Sequence, residues 1–337
     1  MATLASTLPT LVDLAKRQDP NGRIATIVEA LSQQNEIMDD MVWEMGNLET
    51  GHRTTVRTGL PAVAWRLLNK GVAVSKSSTA QIDEATGMLE ARSQVDQDLA
   101  EMSGDIGAFR TSEATPFFEA MTQEMAQTVF YGNSSVAPEE FTGLSIRYSS
   151  LSATNAQNIV NGAGSGSDNS SIWLIVWGPN TIFGIVPKGS TAGVKHEDLG
   201  LDDALDSDNN RFRAYMDRWQ WKAGIALRDW RFVVRICNID ISNLVAESSA
   251  ANLITLMIKA IHRIPSMSMG RPAFYVNRTI AQMLDIQRLA VMTGRTTTTN
   301  AGGSIQYSDV DGRWVPSFRG IPIRTVDQLL ETEATVA

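Results

Sequence analysis

Residues 115–144 read TPFFEAMTQEMAQTVFYGNSSVAPEEFTGL, and this stretch contains the clearest helix pattern of the chain. Thr115 suits the N-cap position, Pro116 the first helical position, and Gly132 the position after the last turn. Between them, apolar side chains recur on one face at helical spacing. We therefore predict a helix over residues 116–131, about 24 Å long, that serves as a scaffold element.

The chain before this helix is predicted to form an arm followed by a long hairpin. Apolar residues at helical spacing place residues 1–45 in an arm with too little apolar surface for a core of its own. Alternating residues over 52–57 and 71–76 predict two strands of an extended hairpin. Its tip is expected near residues 61–70, where a short helical turn over residues 62–68 is the alternative.

The chain after the helix is predicted to be a mixed α+β body. Low-complexity or acidic composition predicts loops over residues 149–171 and 197–210. Strands are predicted over 172–177 and 181–186 as a buried hairpin, over 215–221 and 230–236 with a break at 228–229, and on both sides of Asp311-Gly312. Helices are predicted over 253–264 and after an Asn277 cap.

The composition argues against several classes of protein. With 43% hydrophobic residues the chain can bury a core, and its formal net charge of −8, without a basic block, argues against tight nucleic-acid binding. One cysteine and three scattered histidines do not form a disulfide framework or a spaced zinc motif. The longest apolar stretch is far shorter than the ~20 residues that cross a bilayer, and the N-terminus lacks a secretory-signal pattern. We expect the protein to fold in a reducing cytoplasm.

Patterns that resemble chemical sites are each incomplete. The glycines of residues 162–166 lack the full phosphate-loop spacing. Four oxygen-bearing residues match ligand positions of a calcium loop: Asp206, Asp208, Asn210 and Asp217. Arg211, however, stands where that loop needs glycine. No serine lies in a nucleophile elbow, and an enzyme that uses His196 with the acidic segment is the remaining catalytic hypothesis. We predict no catalytic residue, cofactor or metal.

Two of the eight tryptophans lie outside the strand-like stretches. Trp43 belongs to the arm and Trp65 to the region of the hairpin tip. Because neither segment has an evident core, we interpret both side chains as anchors between subunits, with burial in a core as the alternative.

Three stretches carry a resemblance to a known family. Residues 127–144, QTVFYGNSSVAPEEFTGL, combine a helix end with the pattern PxxFxGL. Residues 274–279, FYVNRT, read as a strand that leads into a short helix, and residues 318–323, FRGIPI, as a strand with Ile323 where valine is commoner. In this order they resemble major capsid proteins of tailed bacteriophages with the Hong Kong 97-type fold, those of short-tailed phages above all.

The resemblance implies an α+β capsid fold made of five parts. These are an N-terminal arm over residues 1–45, an extended loop hairpin over 46–95, a peripheral domain with a long spine helix over 96–140, an axial domain over 141–265, and a C-terminal part over 266–337 that completes both domains.

The same resemblance implies a structural function. The chain would self-assemble, as hexamers and pentamers, into the icosahedral head that encloses double-stranded DNA, after assembly in the host cytoplasm. Some relatives cross-link their shells, but nothing in the sequence marks Lys70 or Lys76 as reactive, so we predict a lattice without covalent cross-links. Scaffold, portal and decoration proteins would be partners, and Arg57 and Lys70 of the hairpin would join Trp43 and Trp65 as contacts between subunits. A bacterial encapsulin-type compartment and a tail-tube subunit are the alternatives.

Overall fold

The computed structural model describes residues 8–17, 32–206, 208–247, 250–292, 305–310 and 313–337. The chain forms two compact units. The first unit comprises Met1–Gln34, Met88–Ala126 and Gly193–Lys222; the second comprises Asn35–Gly87, Gln127–Ala192 and Ala223–Ala337.

Helices and strands are both well represented. The helices are α1 (Leu11–Arg17), α2 (Ile37–Asp40), α3 (Gln97–Met102), α4 (Ile106–Tyr131), α5 (Leu144–Arg147), α6 (Ile241–Val245), α7 (Leu253–Ile261) and α8 (Arg278–Met292). The strands are β1 (Trp43–Met45), β2 (Gly51–Gly59), β3 (Ser78–Ala85), β4 (Gly87–Asp96), β5 (Ile159–Asn161), β6 (Asn169–Trp177), β7 (Ile182–Val186), β8 (Val194–Leu205), β9 (Arg211–Leu227), β10 (Val233–Asp240), β11 (Arg271–Val276), β12 (Ile305–Val310), β13 (Arg313–Phe318) and β14 (Ile321–Thr325).

The first unit contains a long antiparallel hairpin made by β8 and the first part of β9. The pairing extends to Leu205 opposite Arg211, with an irregularity between Asp198 and Gly200. A small core forms from five buried side chains, Leu14, Val95, Leu99, Ala100 and Phe109. The prediction of a loop over the acidic residues 197–210 is therefore wrong, since most of this segment pairs as a strand.

The second unit is built on a mixed sheet in the order β12-β13-β14-β11-β6-β7, with β10 also paired to β6. All nine residues of β6 are buried. On one face, Ile172 and Leu174 belong to the same core as Leu253 and Met257 of α7 and Ile280 of α8. This two-sided burial explains the continuous apolar stretch in the sequence.

The predicted helix over residues 116–131 is part of a longer α4, so its predicted start is wrong. The Asp105 carboxylate accepts a hydrogen bond of 2.9 Å from the Ala108 amide near the true start. Pro116 lies inside the helix and removes one backbone donor. The helix continues across it because Phe109 is fully buried and the Phe117 ring stacks on Trp219 with centroids 4.9 Å apart.

The prediction of a loop over the polar residues 149–171 is wrong for the second half of this segment. It contains β5 and the beginning of β6, and Ser170 and Ser171 are fully buried. The Gly162 and Gly164 amides each donate a hydrogen bond of 2.8 Å, to the Cys237 and Asn238 carbonyls respectively. A Cβ on Gly164 would lie 2.7 Å from the Asn238 carbonyl oxygen, so glycine is needed for close backbone approach.

Two further strand predictions are wrong. Residues 71–76 are not a strand, because pairing of the extended hairpin ends at Gly59 opposite Ser78 and the nearby Pro61 has no amide to donate. The segments 172–177 and 181–186 are both buried strands but not a hairpin. They meet at one parallel pair, and β7 pairs instead with β9 and β1.

Other predictions are confirmed. Helix α7 begins after an Asn252 cap, although it ends at Ile261 and not at the predicted residue 264, and α8 follows Asn277, whose side chain accepts from the Thr279 amide. Strands β9 and β10 are separated at the predicted break, and β12 and β13 pair antiparallel. The predicted start of β10 at residue 230 is wrong, because the Asp229 side chain accepts from the Arg231 amide and residues 230–232 form a 3-10 turn. The Asp311-Gly312 turn and the apolar positions over residues 24–31 lie outside the described residues. Within the described part of the chain, no helix meets the length and hydropathy needed to span a membrane.

Candidate functional site

The tip of the extended hairpin, residues 60–77, carries an unusual number of exposed apolar side chains. Trp65 is fully exposed, and Val63, Leu68 and Val74 are each more than nine-tenths exposed. Burial of one such side chain contributes about 1.5–3 kcal/mol. The tip therefore offers a large free energy of association that this subunit does not use by itself.

A few polar contacts order the tip. The Arg66 guanidinium donates to the Lys70 carbonyl at 2.9 Å, and the Ser75 hydroxyl donates to the Ala62 carbonyl at 2.8 Å. Asn69 adopts a left-handed conformation, with φ of 62°, at the turn. The apolar side chains are thus carried by a loop whose conformation is stabilised by its own hydrogen bonds.

Ion pairs hold the base of the hairpin. Arg53 of β2 donates two hydrogen bonds of 2.6 Å to Asp83 of β3, and these bonds lower the pKa of the Asp83 carboxyl. Arg147 of α5 makes a similar double contact, 2.6 Å for each bond, with the buried Glu84. Bidentate contacts between arginine and a carboxylate are stronger than single hydrogen bonds. The base of the hairpin is therefore held by ion pairs, while the apolar side chains of the tip remain exposed.

Arg57, a predicted contact residue, lines a groove of about 770 Å³ beside β2. Arg228 and Arg231 also line it, together with Asn180 and Asp229. No local pattern marks Arg228 or Arg231 as contact residues, because nothing near them in the sequence indicates that they share a groove with Arg57.

The structure places the other predicted contact residues in different surroundings. Trp65 and Lys70 lie at the exposed tip. Trp43 is half-buried in β1, with its indole against Gly184 of the neighbouring β7, where an added Cβ would lie 2.7 Å from the ring. Trp43 therefore combines internal packing with partial exposure.

His196, the histidine of the catalytic hypothesis, belongs to a charge network with Asp217, which lies outside the acidic segment of that hypothesis. The His196 Nε2 atom lies 2.9 Å from Asp217 Oδ1, and its ring stacks on Trp219. Arg110 donates to the same carboxylate at 2.8 Å and to Asp198 at 2.7 Å. Because Asp217 serves as a buried counterion to Arg110, the arrangement connects α4 to the β8–β9 hairpin rather than presenting a base to a substrate.

The acidic residues of the proposed calcium pattern do not converge. Asp206 accepts from the Asn210 amide at 2.8 Å, and this bond lowers its pKa, while Asp217 is bound to Arg110. Across the described residues no cluster of three His, Cys, Asp or Glu side chains has the placement of a metal site.

The second unit contains a buried ion pair that no local sequence pattern indicates. Arg235 and Glu333 lie 2.9 Å apart, each with a side chain only 4% exposed. Glu333 also accepts hydrogen bonds from Ser171 and Tyr131, and burial followed by the Glu333 charge raises the pKa of Tyr131. The network attaches the C-terminal segment to the sheet.

Two titratable side chains, His52 and Cys237, are buried in the second unit. His52, near the base of the hairpin, packs edge-on against Phe183, and neither of its ring nitrogens has a hydrogen-bond partner among the described residues. Burial, then the Arg228 charge, lowers the pKa of His52. Cys237 is fully buried, and burial raises the pKa of its thiol to about 11.

Comparisons with known proteins find similarity to phage capsid proteins. A family model described as major capsid protein GP7 matches residues 19–337. A chain in the validated near-atomic structure of bacteriophage Epsilon15 is 34% identical, with coverage of 100% of this chain and 99% of that chain and a TM-score of 0.77. A chain of the bacteriophage JBD30 capsid is 8% identical over 96% of both chains, with a TM-score of 0.47. A search of curated proteins finds no match.

Proposed function

Because the chain belongs to the major capsid protein GP7 family, we propose that its copies form the hexamers and pentamers of a closed icosahedral shell around double-stranded DNA. The chain has the Hong Kong 97-like fold and is a structural subunit of a tailed-phage head, not an enzyme. It is a virion component. The number of copies, their grouping and their contents are the proposed part.

The exposed tip of the extended hairpin is the observation that carries this proposal. Seven large apolar side chains of residues 60–77 lie in water: Leu60, Val63, Trp65, Leu67, Leu68, Val72 and Val74. Exposed apolar patches on soluble proteins mark interaction sites. A clamped base with an apolar tip is suited to reach a neighbouring copy, and repetition of that contact about a closed symmetry axis builds a ring.

We propose Trp65 as the main anchor of that contact, with Lys70 at its polar rim and Arg57 and Trp43 nearer the base. Aromatic side chains buried at the centre of an interface contribute most to binding, whereas rim charges contribute less. Within the fold we assign residues 46–95 to the extended loop, 1–45 to the arm, 96–140 to the peripheral domain and 141–265 to the axial domain. Residues 266–337 complete the two domains.

The first experiment expresses the chain in bacteria, alone and with its neighbouring genes, and examines the product by sedimentation and negative-stain microscopy. We expect closed shells tens of nanometres wide. Open tubes or a small, well-behaved oligomer under both conditions would contradict the proposal.

A second experiment tests the anchor. Trp65→Ala should leave the circular dichroism spectrum unchanged and reduce shell yield, and Trp65→Phe should recover most of the yield because it restores aromatic area. Normal shell yield and stability for Trp65→Ala would remove Trp65 from the contacts.

The lattice and its contents can be tested on native heads. We propose noncovalent contacts, so heads boiled in denaturant should release single chains on a gel, whereas a ladder of covalent oligomers would refute this. We also propose that the acidic subunit, with a net charge of −8, encloses DNA without sequence-specific binding. Assembly in the host cytoplasm with scaffold, portal and decoration proteins completes the proposal, and pull-down from infected cells would identify such partners.

A further inference from the structure

We infer that the arginine-lined groove beside β2 receives the acidic end of the β8–β9 hairpin from a second copy of this chain. The inference rests on the proposed shell function and adds to it a specific pair of surfaces. The groove surface is defined by Arg57, Arg228 and Arg231, and the acidic end by Asp202, Asp206 and Asp208.

The groove has positive charge that its own surroundings do not neutralise. Of its four arginines, Arg53 is paired with Asp83 and Arg231 with Asp229. The Arg228 guanidinium donates at 2.8 Å to a neutral acceptor, the Pro179 carbonyl, and Arg57 has no carboxylate within ion-pair distance among the described residues. Two cationic groups therefore face an open groove in a chain of net negative charge.

The size and shape of the groove suit a peptide segment. Its volume of about 770 Å³ is in the range of sites that hold several side chains. Thr55, Thr58 and Gly59 of β2 also line the groove. Val56, Leu60 and Trp230 line it as well, so its lining mixes polar and apolar groups.

The acidic end of the β8–β9 hairpin has the complementary charge. Asp202, Asp206 and Asp208 are exposed, and the structure gives them no carboxylate–cation pair within the described part of the hairpin. Asp203 is the exception, since it lies 3.6 Å from Arg211. Backbone hydrogen bonds from Asn210 lower the pKa of Asp206, so its carboxylate stays ionised at neutral pH.

The hairpin is also long. Its first strand, β8, contains 12 residues, which corresponds to about 40 Å at the usual rise per residue. Paired strands keep that length without the entropy cost of ordering a free loop. Opposite charges on two rigid elements of identical chains favour contact between copies and steer their approach.

The test reverses the charges on each surface and then on both. The groove variant is Arg57→Glu with Arg228→Glu, the hairpin variant is Asp202→Lys with Asp208→Lys, and the fourth protein combines all changes. A control, Lys188→Glu with Lys259→Glu, makes the same charge change as the groove variant at exposed positions outside the groove. Circular dichroism and thermal melting establish that each variant is folded, and shell yield is measured by sedimentation.

We expect each single-surface variant to reduce shell yield about tenfold or more, because like charges face each other across a contact, and the combined variant to recover it. The control should assemble like wild type. Unchanged yield in the groove variant, or loss without recovery in the combined variant, would overturn the inference. DNA retention that depends on the groove but not on the hairpin would also overturn it and indicate a phosphate ligand.

A second measurement avoids dependence on the reversal variants. Arg57→Cys and Asp208→Cys in one chain should give disulfide-linked oligomers after oxidation of assembled shells, because bonding requires Cα atoms within about 7 Å. The Arg57→Cys variant alone is the control. Failure of wild type to form shells would contradict the proposed function, whereas shells without the cross-link would contradict only this inference.

Discussion

The tip of the extended hairpin and the C-terminal segment, residues 326–337, are both largely irregular in backbone, yet their surroundings are opposite. The tip exposes its large apolar side chains to water. In the C-terminal segment Val326, Leu329 and Val336 are buried, and Glu333 is paired with Arg235. The C-terminal segment is stabilised by contacts within its own subunit, whereas the apolar side chains of the tip are exposed and available to a neighbouring subunit.

Hydrogen bonding shows the same contrast. The Asn238 side chain both donates to the Val336 carbonyl and accepts from the Val336 amide, at 2.9 and 2.8 Å. The tip has mainly bonds within itself, such as Arg66 to Lys70. Irregular backbone is therefore not evidence of a weakly held segment, because what decides its stability is where its polar and apolar groups find partners.

The largest effect on subunit stability is expected at Glu333. Glu333→Ala leaves the buried Arg235 without its counterion, which typically costs about 3–5 kcal/mol in the free energy of unfolding. Thermal melting of the unassembled subunit should show a large decrease. Glu331→Ala, which removes a carboxylate two residues away, should change stability by less than ~0.5 kcal/mol. Equal effects of the two variants would show that the buried Arg235–Glu333 pair does not stabilise this segment.

A smaller effect is expected from adding one methyl group at Gly164. Its Cβ would lie 2.7 Å from the Asn238 carbonyl oxygen and 2.8 Å from the Asp240 amide, so the backbone must shift at a cost of about 1–3 kcal/mol. Gly71 in the tip has no atom within 4 Å of an added Cβ. Gly71→Ala should leave the melting temperature unchanged, and a loss there comparable to Gly164→Ala would show that the tip is packed in solution.

The base of the hairpin should respond to acid through His52. Because burial lowers the pKa of folded His52, the unfolded chain binds more protons once the pH falls below about 6.5. Its contribution to stability is therefore complete above pH 6.5 and decreases as the pH falls toward the folded pKa. Between pH 7 and pH 5 the wild type should lose more melting temperature than His52→Gln. Parallel losses would show that other groups account for the pH dependence.

The smallest effect on the isolated subunit is expected at Trp65, despite its size. The side chain is fully exposed, so Trp65→Ala removes no internal contact and should leave the free energy of unfolding within ~0.5 kcal/mol of wild type. Chemical denaturation of the unassembled subunit measures this directly. A marked destabilisation would show that the tip folds back on its own chain.

The helices that the sequence predicts correctly carry their signals locally. Asn252 and Asn277 act as caps directly before apolar residues at helical spacing, and α7 and α8 begin at those positions. Pro116 misleads because the same residue is favoured at a helix start. What extends α4 past it is the burial of Phe109, which depends on packing against residues far away in the chain.

The surfaces show the same division. The sequence indicates Trp65 as an exposed anchor because its neighbours offer no core. The groove, in contrast, depends on β2 lying beside residues 228–231, and the Arg235–Glu333 pair on the C-terminal segment returning to the sheet. No local sequence pattern predicts contacts between segments so far apart in the chain. The low-complexity run ending at Ser171 fails as a loop for the same reason, since β10 lies beside it.

The burial of Cys237 has a practical consequence for counting subunits. As the chain's one cysteine, with its thiol pKa raised to about 11, it will not react with maleimide reagents while the fold is intact. A cysteine introduced at one exposed position would then take one dye per copy. The fluorescence of a single particle, divided by that of one subunit, would report how many chains it contains.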